Sequence, residues 1–205
     1  MLYVKRIINA PITSNSYIIY TDQNHSCIIV DPGTQDSIEL LSFLEYNTLF
    51  PEYIVLTHEH FDHIWGVNCL KEKYKVQLIS NKSCSERIVD KKKNLSLFYN
   101  QQGFSTCHSD ILIDDVSEFL WNDYRIVFFQ TPGHSLGCIC FLIDNLLFTG
   151  DTVILNEKTV VKLPGSNRAE LLTSISLLSK LRYTRIYPGH GESFIKEKFD
   201  VFNVL

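Results

Sequence analysis

The sequence has no CxxC pair among its six cysteines, no apolar run long enough to span a bilayer and no sustained basic patch. Each absence narrows the field. Cys27, Cys69, Cys84, Cys107, Cys138 and Cys140 fall mostly in apolar contexts, as reduced structural thiols do, and receive no chemistry. Cys138 and Cys140 share one strand face by period-two geometry, so zinc ligation is conceivable, but core packing is the favoured reading. A net charge of −4 argues against nucleic acid as the main partner, although a small nucleotide is not excluded. The Lys91-Lys92-Lys93 run reads as a solvated helix face or loop. Met1-Leu2-Tyr3-Val4-Lys5-Arg6 loses its apolar character within a few residues and offers no signal-peptide core. With no bilayer-spanning run, the expectation is a soluble, cytoplasmic protein with no membrane partner. No low-complexity linker and no clean internal repeat interrupts the chain. Its 205 residues, somewhat above the ~150 typical of one domain, are expected to form a single domain over 1–205. The oligomeric state is left open.

What is present is a dense cluster. Tyr53-Ile54-Val55-Leu56-Thr57-His58-Glu59-His60-Phe61-Asp62-His63-Ile64-Trp65-Gly66 places three histidines and two carboxylates behind a short apolar run. Ile54 to Leu56 read as a buried strand, so His58, His60, Asp62 and His63 sit in the loop leaving it. Imidazole and carboxylate without thiolate suit zinc, manganese or iron. His58 and His60 alternate with Glu59 and can share one ion, whereas Asp62 and His63, where the chain turns into the next helix, can reach a second. The plainer alternative is a polar loop with surface histidines.

Leu2 to Ile8, Ser16 to Tyr20 and Cys27 to Val30 read as antiparallel strands. Asp31-Pro32-Gly33 ends the third, and a helix follows with Asp36 as N-cap and Ile38, Leu41 and Leu44 on one side. Beyond the cluster, Ile64, Val67, Leu70 and Tyr74 fit a helix and Val76 to Ile79 a strand. The 81–109 segment has a weaker pattern and is the candidate for a mobile cover over the site. The second half repeats one arrangement, a strand followed by a potential ligand. Ile126 to Phe129 lead to His134, the Ile139–Ile143 and Leu146–Gly150 hairpin leads to Asp151, and Ile186-Tyr187-Pro188-Gly189 lead to His190. A helix begins near Asn167, with Glu170 completing its cap. Four strands thus end in His or Asp, three of them beside a glycine that permits a tight turn, and sheets collect their sites at strand ends. The two halves of the chain are candidates for two related half-sheets.

With THEHFDHIWG, TPGHSLG around His134, TGD around Asp151 and PGHGE around His190, the sequence resembles the metallo-β-lactamase superfamily, specifically its glyoxalase II-like hydrolases. The resemblance covers nearly the whole chain, from the Asn15-Ser16-Tyr17 strand through Val30-Asp31-Pro32-Gly33 to His190. It implies an α/β (α+β) four-layer αββα sandwich with metals in a groove at one edge of two packed sheets. It further implies that His58, His60 and His134 bind one metal, that Asp62, His63 and His190 bind a second, and that Asp151 bridges them. His25 and His108 stay outside this scheme as surface residues.

The implied chemistry follows from charge. Two dications sharing a water lower its pKa from ~15.7 toward ~7, giving a metal-bound hydroxide without a protein nucleophile. Asp62 is the catalytic candidate that orients this hydroxide or accepts its proton. Ligand imidazoles need acceptors that fix their tautomers, for which Asp31, Thr57 and Ser135 are the candidates, with plain turn or cap roles as the alternative. The expected cofactor is two zinc ions per chain, with iron or manganese admitted, and the partner is a small-molecule substrate. The leading function is hydrolysis of a small thioester or ester. Alternatives on the same scaffold are a mononuclear iron persulfide dioxygenase and a lactone or β-lactam hydrolase. A non-catalytic binding protein is disfavoured by the complete ligand set. Two features depart from glyoxalase II proper: only a short tail follows His190, and no GCGK-like loop follows Asp151. Glutathione specificity is therefore doubtful. Lys158 and Lys162 are the basic residues of the Thr152–Lys162 stretch. Lys162 and Arg168 are candidates for substrate contact, although a solvent-facing salt bridge is favoured for Arg168.

Overall fold

The computed structural model describes residues 1–114 and 116–199. The first half of the chain supplies one six-stranded sheet, in the order β1 (Leu2–Ile8), β2 (Asn15–Thr21), β3 (Ser26–Val30), β4 (Phe50–Val55), β5 (Gln77–Asn81) and β6 (Ile111–Ile113). The second half supplies the other: β7 (Val116–Trp121), β8 (Tyr124–Gln130), β9 (Ile139–Ile143), β10 (Leu146–Gly150), β11 (Arg185–Pro188) and β12 (Phe194–Ile195), again in sequence order across the sheet. The first sheet opens antiparallel over β1 to β3 and continues parallel over β3 to β6. In the second, only β10 and β11 pair in parallel.

The layering follows from period-two alternation in strands buried on both faces. Ile18, Ile29, Ile54 and Leu78 face outward from the first sheet and pack against α1 (Ile38–Tyr46), α3 (Val67–Lys73) and α4 (Lys82–Ile88). Their neighbours Ile19, Ile28, Val55 and Ile79 face the second sheet and meet Ile126, Phe128, Ile139, Phe141 and Phe148. Cys140, Leu147 and Ile186 point out of the other side, onto Leu171, Ile175 and Leu178 of α6 (Arg168–Ser179). Three apolar layers thus separate helix, sheet, sheet and helix, the αββα sandwich. Burying each such side chain is worth about 1.5–3 kcal/mol, so the layers dominate the stability.

Local chemistry explains where elements begin. Asn167 caps α6, its side chain accepting from the backbone N–H of Ala169 and Glu170. At α1 the expected cap is displaced by one residue. Ser37, not Asp36, is the N-cap, in a left-handed conformation, because its hydroxyl turns back to donate to Thr34 O at 2.9 Å and the helix begins only at Ile38. The helix expected from Ile64 to Tyr74 is two pieces, α2 (Phe61–Ile64) and α3. Gly66 separates them: its N–H donates to Pro32 O at 2.7 Å, and an added Cβ would collide with Ser37 Oγ.

The 81–109 segment contains α4 and α5 (Ser96–Asn100) around an exposed turn that carries Lys91, Lys92 and Lys93. Buried Asn94 ties this segment together by donating to Ile88 O and Phe104 O. Its aromatic side stacks on the groove, with Tyr99 on Phe61 at 4.7 Å between centroids and Phe104 on Trp65 at 5.5 Å. Among the described residues, no helix is long and apolar enough to cross a membrane. All six cysteines are free; Cys138 and Cys140 are buried, and burial pushes the Cys140 thiol up to about 12.

Candidate metal centre

The ends of β4, β8, β10 and β11 meet at one edge of the sandwich. Backbone bonds pin the two sheets there: Ile139 N donates to Thr57 O at 2.8 Å, and Asn15 N donates to Gly189 O at 2.6 Å. Gly189 N in turn donates to Gly150 O at 2.7 Å, so the turns after β10 and β11 touch. Glycine is required at both turns. Gly150 adopts φ 47° with Thr57 Oγ1 where a Cβ would lie, and a Cβ on Gly189 would run into Asp151 Oδ1 and stand 2.8 Å from His63 Cε1.

These turns bring seven side chains together. His58, His60 and His134 present nitrogens within 4.8 Å of one another, and Asp62, His63 and His190 form a second such group. Asp151 stands between them: its Oδ2 lies 3.5 Å from both His134 Nε2 and His190 Nε2, and its Oδ1 3.5 Å from His63 Nε2. Asp62 Oδ2 is 3.4 Å from His190 Nε2 and 3.6 Å from His63 Nε2. These separations are close to the ~3.3 Å between donors held at about 2.0–2.1 Å on a tetrahedral ion.

The hydrogen bonds behind the ring atoms fix which nitrogen faces the centre. Asp31 accepts from Thr57 N at 2.7 Å and Thr57 Oγ1 at 2.5 Å, and its Oδ2 lies 3.0 Å from His63 Nδ1. Thr57, having given its proton to Asp31, accepts from His58 Nδ1 at 3.1 Å. His134 Nδ1 donates to Val160 O at 2.9 Å and His190 Nδ1 to Thr13 O at 3.3 Å. Nε2 of each of these four rings is therefore the nitrogen that faces the centre. Nε2 of His58 and His63 and Oδ1 of Asp151 are buried with no hydrogen-bond partner, as is His60 Nε2, while His60 Nδ1 faces His134 Nε2 at 3.0 Å. Buried orphan acceptors are costly unless a cation completes them, and this donor set of imidazole and carboxylate fits a metal.

Electrostatics divides the histidines in two. Burial, together with neighbouring rings, lowers His58 well below its ordinary value and brings His60 to about 3, so both are neutral donors. Burial also acts to lower His63 and His190, but the Asp62 and Asp151 carboxylates outweigh it and raise them to about 9 and about 11. Reciprocally, burial would raise Asp62 and Asp151, yet His63 and His190 hold both carboxyls below their usual range. In the second group the carboxylates thus hold protons on His63 and His190, and a cation entering it replaces them.

Of the residues expected to orient the imidazoles, Asp31 and Thr57 each stand within hydrogen-bond distance of a ring nitrogen. Asp31 also lies near His58 and His63 in a third candidate group, and its two oxygens already accept from Thr57 N and Thr57 Oγ1. Ser135 does not touch a ligand-candidate ring. It donates to Glu59 Oε2 at 2.8 Å, because Glu59, between His58 and His60, points backward into the protein and ion-pairs with Arg87. This buried pair was missed in the sequence; the alternation that sends His58 and His60 inward was the available signal. Also missed was the support of the His190 turn, where Asn15 Nδ2 and Tyr17 Oη donate to Pro188 O at 3.0 and 2.6 Å.

Lys162 and Arg168 lie outside this constellation, along an adjoining cavity. The salt bridge expected for Arg168 is not found among the described residues. His25 and His108 are exposed and belong to none of the candidate groups among the described residues.

The sequence model of the Metallo-beta-lactamase superfamily matches residues 10–190. A probable metallo-hydrolase of Bacillus subtilis (strain 168), YqgX, is 28% identical over 191 residues, which cover 91% of this chain and 89% of that protein. The hydroxyacylglutathione hydrolase of Klebsiella pneumoniae is 33% identical over 148 residues, covering 72% of this chain but only 51% of the relative, so the likeness spans about half of that enzyme. Among solved structures, the BLEG-1 B3 metallo-beta-lactamase superposes with a TM-score of 0.88 at 27% identity, over 96% of this chain and 95% of the other. Sequence match, sandwich and His/Asp cluster agree: the chain belongs to the metallo-beta-lactamase superfamily and is a metallo-hydrolase of that group.

Proposed function

We propose that the protein is a dinuclear zinc hydrolase of small thioesters or esters, with His58, His60 and His134 around one ion, Asp62, His63 and His190 around the other, and Asp151 between them. The observation that carries this reading is the pair of donor trios joined by one buried carboxylate at donor-to-donor spacings of 3.4 to 3.6 Å. When bound, the ions supply Lewis acidity toward a carbonyl and acidify a water. The remaining work falls to the chain. Asp62, 9% exposed, borders the groove and is the group placed to orient the attacking water and take its proton. Asp31 and Thr57 keep His63 and His58 in the tautomers that leave Nε2 free.

The groove above the cluster, a cavity of about 420 Å³, has Ile12, Leu95, Phe98 and Leu163 among its walls. Phe98, 71% exposed, adds an aromatic face to this groove. A small acyl group fits such a wall. Oxygen chemistry on the same scaffold requires redox-active iron, whereas hydrolysis needs only a redox-inert Lewis acid. The expected result is that zinc-loaded protein cleaves a panel of S-acyl thioesters, slowly where glutathione is the wrong handle, and consumes no oxygen with glutathione persulfide. Iron-dependent oxygen uptake, with no thioester or ester hydrolysis by the zinc form, would replace this reading with the dioxygenase.

A further inference from the structure

Glu59 stands between His58 and His60 in the chain, and its side chain is fully buried against α4 and the turn after His134. Both carboxylate oxygens are engaged: Oε1 accepts from Arg87 Nε and Oε2 from Ser135 Oγ at 2.8 Å. Ser135 directly follows His134. One carboxylate is thus tied to all three donors of the first trio, to His58 and His60 as their chain neighbour and to His134 through a single hydrogen bond. Arg87 extends the tie, its Nη2 donating to Pro164 O at 3.3 Å in the stretch that also holds Val160, whose carbonyl accepts from His134 Nδ1 at 2.9 Å. The fold makes room for this carboxylate. A Cβ on Gly137 would stand 2.3 Å from Glu59 Oε2 and 2.8 Å from Cys84 Cα, although Gly137 is not among the residues of positive φ, so space rather than conformation calls for glycine there. The second trio hangs on other groups, His63 on Asp31 and His190 on Thr13 O.

The other cations of the chain meet carboxylates in water: those of Glu192, Asp110, Glu45 and Glu118 are 40% or more exposed in their pairs with Arg6, Lys71, Lys73 and Arg125. The Glu59 carboxylate is 0% exposed and Arg87 only 13%. A buried pair adds little net stability, because desolvating two charges offsets their attraction. A guanidinium does hold a direction, and groups behind metal ligands set affinity by fixing ligand orientation. We propose that Glu59 and Arg87 are positioning residues for the first metal alone: with Ser135 they set the spacing of His58, His60 and His134 and have no part in the second site. The inference rests on the two-metal reading and adds to it residues that touch neither metal nor substrate.

The test is calorimetric zinc binding in two single-site parents, His190→Ala, which keeps the first trio, and His134→Ala, which keeps the second. Glu59→Gln/Arg87→Met removes both charges together and leaves neither buried alone. In the His190→Ala parent this pair of substitutions is expected to weaken zinc binding about 10–100-fold, and in the His134→Ala parent to leave it unchanged. The readout is the contrast between the parents, which a general loss of stability would not produce. Ser135→Ala, which leaves the ion pair in place, is expected to show the same contrast at about 10-fold, and it decides the matter where the double variant does not fold. A loss that is equal in the two parents, confined to His134→Ala, or absent from both would overturn the proposal. If neither parent binds zinc with the pair intact, the two-metal reading has failed and the proposal falls with it.

Discussion

Asp151→Ala is expected to lower turnover by about 10²–10³-fold and to weaken binding of both metals together, because Asp151 is, among the described residues, the one carboxylate within 3.5 Å of nitrogens from both donor groups. The size follows from what the substitution leaves behind. His63 and His190 are held in their raised range partly by Asp151, and removing it leaves Asp62 as the carboxylate that still faces both rings. Asp151→Asn keeps the shape and hydrogen-bonding width of the side chain and removes only its charge, so its metal affinity should fall nearly as far while its melting temperature stays near that of the wild type. Metal titration, kinetics and melts of the two variants check this. Near-normal hydrolysis by metal-replete Asp151→Ala would defeat the assignment.

Asp31 is expected to give the second large effect, in a different currency. It is buried at 1% exposure, holds φ 47°, and accepts from Thr57 N, Thr57 Oγ1 and His63 Nδ1. Asp31→Ala strands buried donors at about 1–3 kcal/mol each and puts alanine in a left-handed conformation at about 1–2 kcal/mol, so a loss of roughly 4 kcal/mol is expected. At about 2–4 °C per kcal/mol for a chain of this size, the melting temperature should drop by roughly 10 °C. Asp31→Asn tolerates the left-handed backbone and can keep the bond from Thr57 N, but its amide cannot satisfy both His63 Nδ1–H and the Thr57 hydroxyl. That variant should fold while losing about 10–100-fold in metal affinity, the range for removing a partner behind a ligand. If Asp31→Asn bound metal as the wild type does, Asp31 would be a structural turn residue and nothing more.

How much of this was legible in the sequence differs by element. Strands buried on both faces, such as Ile28-Ile29-Val30 and Ile54-Val55, announce themselves as unbroken β-branched runs, and the residue just past each end is where polar chemistry must sit. That is why His58, His134, Asp151 and His190 could be read as strand-end groups before any geometry was available. β6, β7 and β12 went unread because they are short or lie at the sheet edges, where Leu112 and Leu120 point to solvent and the alternation loses its contrast. The cap at Ser37 was misplaced by one residue because a hydroxyl turning back to Thr34 O competes with the local Asp36 signal. The partner of Glu59 was illegible for another reason. Arg87 is 28 residues away, and only the packing of α4 behind the metal loop brings its guanidinium to that carboxylate. Period-two reasoning gives the direction of a side chain, not what waits there.

The central claim is that seven residues on four strand ends hold two ions in one buried centre. Its most direct measurement is metal content against added zinc, followed on protein stripped of metal and read by elemental analysis together with a crystal structure of the saturated form. The account predicts saturation at two ions per chain, one among His58, His60 and His134 and the other among Asp62, His63 and His190, with Asp151 touching both. Saturation at a single ion, with Asp62 and His190 left unligated, would contradict it.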